Sequence, residues 1–286
     1  MATSVVPRRR YFPTLLRPRA GYRSAGFTTV IALVGLTALI LLGPILAPHD
    51  PVQPIGAANQ GLLSPNALLG TDAVGRDVLT RTLYGMRTSW LAALTIVAVG
   101  LTVGAVIGAV AGAIGGWVDA VLMRTTDLFL ALPGALVAIA VVAALGPSLS
   151  NTIIGISLVW WPYYARVIRG EVRALAGRPH VAAAQLAGAG RLRVITHHIA
   201  PGVVPTAVVA ASLDIGNAIL LLAGLSFLGL GQRQPAPELG ADTATGMQQI
   251  LTEWWVPVVP AVAVLVLSLI ANLAGDALSK SVRSSQ

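Results

Sequence analysis

Long apolar runs alternate with short polar clusters along this chain. A helix that crosses a bilayer needs about 20 mostly apolar residues. Six segments approach that length: Phe27–Leu46, Trp90–Ile114, Leu128–Leu145, Thr152–Val167, Val203–Leu228 and Trp254–Leu273. The third and fourth are separated by a turn around Gly146-Pro147-Ser148 and read as a helical hairpin. The pattern predicts an all-α membrane protein with six transmembrane helices. Trp90, Trp117, Trp254 and Trp255 fall at or near predicted span ends, where amphipathic rings favour the interface.

The polar clusters set the orientation. Cytoplasmic loops carry the excess of Arg and Lys. With the N-terminus inside, 15 of the 19 Arg and Lys residues fall on the cytoplasmic side, and only Arg76, Arg81, Arg87 and Arg233 fall outside. Both termini are therefore expected in the cytoplasm. The resulting plan is a cytoplasmic tail (1–26), a first span (27–47), an outside loop (48–89), a five-helix core (90–275) and a cytoplasmic tail (276–286). The core includes a cytoplasmic loop at 171–200, and a second outside loop covers roughly 229–253. Arg8-Arg9-Arg10 with Phe12 is loosely similar to a twin-arginine signal. The apolar run starts well downstream and exceeds a signal-peptide core, which favours an uncleaved span over cleavage near Ala47.

Composition agrees. The 286 residues are 55% hydrophobic and 10% charged, with a net charge of +8, and the mean hydropathy is +0.78. A soluble domain carries more charge. The basic balance belongs to loops beside anionic lipid, not to a nucleic-acid surface, because the arginines flank apolar spans. Cysteine is absent, which removes disulfides and thiolate metal sites.

The candidate chemistry is sparse. His49, His180, His197 and His198 form no metalloprotease pattern. Gly224-Leu225-Ser226-Phe227-Leu228-Gly229 misses the nucleophile-elbow spacing. Lys280 follows no phosphate-cradling loop. No catalytic, metal or cofactor site is expected, and any ATP-driven work needs another polypeptide. Gly100, Gly104, Gly108 and Gly112 line one face of the second span and suit close helix packing, within the bundle or against a moving partner. Asp214 is the one carboxylate deep in a span and shares a helical face with Thr206, Ala210 and Asn217. An intramembrane acid faces protein or water. Asp214, Asn217 and Ser212 are thus candidates for a solute path, with a structural hydrogen bond and ion coupling as the other roles open to Asp214. In the first outside loop, Asp77 and Arg81 sit four residues apart, a helix-supporting spacing.

Between the fourth and fifth spans, Arg166–Ala200 forms the longest cytoplasmic loop. Pro179 suits a first helical turn. Val181-Ala182-Ala183-Ala184-Gln185-Leu186-Ala187 favours helix, and Gly188 with Gly190 permits a sharp stop. A second helical stretch, Leu192 to Ile199, leads to Pro201 and the fifth span. Such a short helix can lie in a partner's groove or remain an unpartnered surface helix.

This loop resembles the signature loop of ABC-importer permeases. Ala182-Ala183-Ala184, Gly188 and Ile199-Ala200-Pro201 occupy its motif positions, with Ala182 where the family has Glu. The segments Leu69-Gly70-Thr71-Asp72 through Arg76-Asp77, Arg81 and Ser89, then Leu225-Ser226-Phe227-Leu228-Gly229 and Asn272-Leu273-Ala274-Gly275-Asp276, resemble the dipeptide/oligopeptide/nickel permease family, in the order of its second, "C"-type subunit. Leu222 stands where a family Glu falls. The resemblance implies a type I ABC importer permease fold in the bacterial inner membrane. It implies ATPase coupling through Val181 to Leu186 and Gly188, and an outside docking surface or gate around Asp72, Arg76, Asp77 and Arg81. The implied partners are a second, B-type permease, ABC ATPase subunits that hold ATP and Mg2+, a solute-binding protein outside, and membrane lipid.

Overall fold

The computed structural model describes residues 34–283. The arginine-rich tail and the start of the first predicted span lie outside that range. All regular elements among the described residues are helical. After a first helix α1 (Val34–Leu46), the chain runs through an irregular segment into α2 (Val78–Ile114), α3 (Gly116–Ala131), α4 (Gly134–Leu145) and α5 (Leu149–Ala176). The short α6 (Pro179–Leu186) and α7 (Arg191–Val194) precede α8 (Ala200–Phe227), α9 (Leu239–Gly246) and α10 (Trp255–Arg283).

Among the described residues, three helices are long and apolar enough to cross a membrane, within Val78–Ile114, Leu192–Phe227 and Trp255–Lys280, and α3 with α4 makes a fourth if the bent pair is one span. Three differences from the sequence reading have local causes. Helix α2 starts at Val78, not Trp90, because Asp77 caps it by accepting from Thr80 N at 3.0 Å. The last residues assigned to the outside loop are therefore helical. Trp90 is fully buried in the core instead of lying at an interface. The predicted span Leu128–Leu145 is broken at Leu132-Pro133 and bent by 86°, since the proline drives its predecessor out of helical geometry. Leu132 is accordingly extended.

The stretch before the fifth span differs in a third way. Leu192 to Phe227 is one continuous helix, passed through a π-type turn at Ile195–Ile199 in which Ala200 N donates to Ile195 O. Pro201 has no N–H to donate, and the wider turn accommodates it without ending the helix.

Helices α2 and α5 run parallel and make the most extensive contact among the described elements. The glycine stripe forms it. Gly100 faces Trp160, Gly104 faces Trp161 and Tyr164, Gly108 faces Ala165 and Arg169, and Gly112 faces Val172. At Gly104 and Gly108 the nearest atoms are carbonyl oxygens of α5, so only a residue without Cβ permits this spacing. Helices α8 and α10 approach closely where Gly216 meets Asn272 and Gly275 meets Ser212 and Leu213.

Two separate cores result. The main one joins Trp90, Ile96, Ile156, Tyr164, Ile219, Leu222 and Leu267. Leu222 is fully buried there, in apolar surroundings where an unpaired carboxylate would be costly. The smaller core joins Ile168, Val172 and Leu175 of α5 to Val181 of α6 and to Val194, Ile199 and Val203. The outward faces of α2 and α10 are apolar: Val99, Val103, Val106, Leu265, Leu269 and Leu273 are all exposed, as suits contact with lipid.

Substituting Gly108→Ala should destabilise the bundle by about 1–3 kcal/mol, the usual cost of forcing a methyl group into a filled interface. Gly170→Ala, on α5 with open space at its Cβ, should be neutral or stabilising by up to about 1 kcal/mol. Thermal melting of the two variants in detergent checks the contrast.

Candidate functional site

Side chains ahead of α2 and those around α9 form a single polar clamp. Asp72 folds its own loop by accepting from Val74 N (2.9 Å) and Arg76 N (3.0 Å), while its second oxygen holds Arg76 Nε at 2.7 Å. Arg76 Nη1 then donates to Gln234 Oε1 at 3.0 Å. Arg81, from the first turn of α2, does most of the joining. Its Nη1 donates to the carbonyls of Pro51 (2.8 Å) and Pro235 (3.0 Å). Its Nη2 donates to Gln234 Oε1 at 3.2 Å and pairs with Asp242. Both arginine side chains are almost fully buried.

The clamp corrects one expectation. Asp77 and Arg81 do not form a side-chain pair along the helix. Asp77 spends its carboxylate on the helix cap, accepting from Thr80 N and from Thr80 Oγ1 at 2.6 Å, with His49 Nδ1 3.5 Å away. Arg81 turns toward Asp242 and the loop before α9. A small, partly open cleft lies against this network, lined by Asp72, Arg76, Arg81, Asp242, Thr245 and Gln249 among others.

Two acids here escaped the sequence reading. Glu238 is fully buried and caps α9, accepting from Gly240 N (3.1 Å), Ala241 N (2.9 Å) and Ser89 Oγ (2.9 Å). Its burial pushes its carboxyl above the ordinary glutamate value of 4.5, against the pull of those donors. Burial likewise raises Asp242, with Arg81 opposing it. The available signal was scarcity: with only 11 acids in the chain, two within five residues of an apolar chain's loop mark a place that needs them.

At the other end of the bundle, α6 stands on the smaller core. Val181 is its buried anchor, while Ala182, Ala183, Gln185 and Leu186 face outward. Leu186 is 90% exposed and Leu192 nearby is 76% exposed. The expected stop at Gly188 is a left-handed cap: φ is +85°, Gly188 N donates to Gln185 O and Ala189 N to Ala184 O, both at 3.0 Å. Paired 5→2 and 6→1 bonds of this kind close a helix sharply. The end of α5 is braced by Asp119 of α3, which pairs with Arg169 and, at 2.6 Å, with Arg173.

Within the bundle, Asp214 and Asn217 lie on one side of α8, and Asp214 is turned toward Trp160 and Tyr164 of α5. Ser212 is separated from them. It is buried, donates to Val209 O at 2.9 Å and packs on Gly275.

Apolar helices, close glycine seams and a braced helix at one end define a polytopic, all-helical membrane component. A family described as "Binding-protein-dependent transport system inner membrane component" matches residues 104–284. Curated relatives include the probable D,D-dipeptide transport system permease protein DdpC of Escherichia coli K12, 40% identical over 87% of this chain and 84% of its own length. The dipeptide transport system permease protein DppC of the same strain is 41% identical over 86% of each chain. The nickel transport system permease protein NikC is 41% identical over 87% of this chain and 89% of its own. Among solved structures, an inward-facing form of the MetNI methionine ABC transporter superposes with a TM-score of 0.56 at 18% identity, covering 72% of this chain and 96% of the other. This chain belongs to the family of binding-protein-dependent transport system inner membrane components.

Arg81→Ala should cost about 3–5 kcal/mol, because it strands buried Asp242 without its cation. Thermal melting in detergent reads the loss, and Arg81→Lys should recover only part of it, lacking the forked geometry. Glu238 generates a pH effect. A carboxyl raised in the folded state favours the protonated form, so its contribution is present below the unfolded value and is lost as pH rises through the raised one. Glu238→Gln should therefore flatten the decline in melting temperature from about pH 4.5 upward.

Proposed function

We propose that this chain is one of two permease subunits of an ATP-driven importer for di- or oligopeptides. The observation that carries the reading is α6: a short helix with Leu186 nearly fully exposed, mounted on a core of its own and closed by a glycine cap. It is built to receive force. ATPase subunits holding ATP and Mg2+ dock against α6 from the cytoplasm, and the chain itself is not catalytic. Movement of Val181 passes to α5 and α8 together, because both contribute to the same cluster. The glycine seam then carries α2 with α5.

In this reading six spans cross the bacterial inner membrane with both termini inside. Helix α1 lies in the first of them, α3 with α4 supplies the third, and α5 supplies the fourth. Helix α5 has 28 residues and is about 42 Å long, beyond the roughly 30 Å hydrocarbon core. Its excess projects α6 clear of the lipid. At the outer end, the buried clamp of Asp72, Arg76 and Arg81, with the Asp77 cap beside it, stiffens the surface offered to a solute-binding protein. A second, B-type permease completes the path. The peptide cargo follows the names of the dipeptide relatives. Nickel is the second reading, favoured by the 41% identity to a nickel permease, and uptake of labelled dialanine against labelled nickel separates the two.

Leu186→Asp in the complete importer tests the coupling. Placing a charge in an apolar docking groove should remove about 2 kcal/mol of contact energy, roughly 30-fold in affinity. Stimulation of ATP hydrolysis by the loaded binding protein should collapse while the permease melts normally. Stimulation at the wild-type level would refute the role of α6.

A further inference from the structure

Helix α8 places one acid, Asp214, about 20 Å from either of its ends. A charge at that depth is expensive unless it faces water or a partner. The surroundings are unusual for a merely structural acid. Tyr164 and Trp160 of α5 lie beside it, yet Tyr164 Oη and Trp160 Nε1 are both buried and complete no well-formed hydrogen bond. Tyr163, 47% exposed, stands edge-on to Tyr164 with ring centroids 5.5 Å apart and lies near Asp214. Asn217 is exposed on the same side, one turn along. The result is a half-open patch: one carboxylate, one amide and a row of aromatic rings.

This set selects its ligand by chemistry. A divalent cation wants six or more oxygen ligands, or a near-octahedral shell, and one carboxylate with one amide does not supply them. A primary ammonium wants an anion, a neutral acceptor and an aromatic face, and all three are present. We propose that Asp214, Asn217 and the rings of Trp160 and Tyr163 form an intramembrane ammonium site that receives the N-terminal amine of the peptide in transit. The assignment rests on the importer reading for its cargo. A lysine of the second permease offers the same ammonium, so the test must separate the two sources.

The complete importer, with both permeases and its ATPases, is purified in nanodiscs, and two probes are titrated against tryptophan fluorescence. Alanyl-alaninamide carries the ammonium without a carboxylate; N-acetylalanine carries the carboxylate without the ammonium. Alanyl-alaninamide should saturate the wild type, and Asp214→Asn should weaken it at least about tenfold, the loss expected for one charge-assisted contact. Asp214→Glu should restore part of it. N-acetylalanine should bind neither protein. Equal binding of the two probes, or an unchanged affinity in Asp214→Asn, overturns the site. Loss of the second permease from the Asp214→Asn complex assigns the ammonium to that subunit and overturns the peptide role. Uptake is then measured in proteoliposomes with labelled dialanine. A wild type that binds alanyl-alaninamide but shows no ATP-driven uptake refutes the importer reading and leaves the ammonium site standing.

Discussion

The close approach of α2 to α5 organises this molecule. Without a hydrophobic drive between helices in lipid, packing must come from dispersion at short range. Gly104 and Gly108 of α2 provide that range by admitting carbonyl oxygens of α5 where a methyl group would not fit, and Gly100 and Gly112 admit the side chains of Trp160 and Val172. The seam runs from Trp160 to Val172 of α5, and over that stretch the two helices behave as one ribbed element. Helices α8 and α10 repeat the device on a smaller scale at Gly216 and Gly275.

A bundle held this way is stiff along its length and can pass displacement from one end to the other. The two ends are built differently. On the α6 side a private apolar core connects three segments, and the outward face of α6 presents Leu186 with Gln185 and alanines. On the α9 side the joints are ionic, with Arg81 and Arg76 drawing four stretches of chain together. Apolar contacts tolerate sliding because they are non-directional, whereas forked guanidinium bonds fix orientation. The first end is therefore suited to receive motion and the second to hold a shape. In the proposed importer these correspond to the ATPase side and the binding-protein side.

Much of this was legible in the chain. Pro179, the alanine-rich stretch and Gly188 specified α6 because capping is local chemistry. The glycine stripe declared a close seam, though only the structure shows that its partner is α5. Span detection fared less well for physical reasons. Pro133 broke an apolar run that hydropathy joined, and Pro201 failed to break a helix that a π-type turn could carry through. Helix α5 reads as less apolar because its C-terminal half carries arginines paired with Asp119 and Asp127. The ionic clamp was half seen. Asp72, Arg76 and Arg81 stood out, but Gln234, Glu238 and Asp242 lie more than 150 residues further on, and no local pattern couples such distant positions.

That distance has a consequence for how the protein is made. Arg81 precedes its carboxylate partner by 161 residues. At a synthesis rate of roughly 5–20 residues per second, the guanidinium waits about 8–30 s for the acid to be made. During that interval α2 and α5 can already be in the bilayer, zipped along their glycines. The ionic joint is therefore a late one, made only after α8 has been synthesised and ahead of α10.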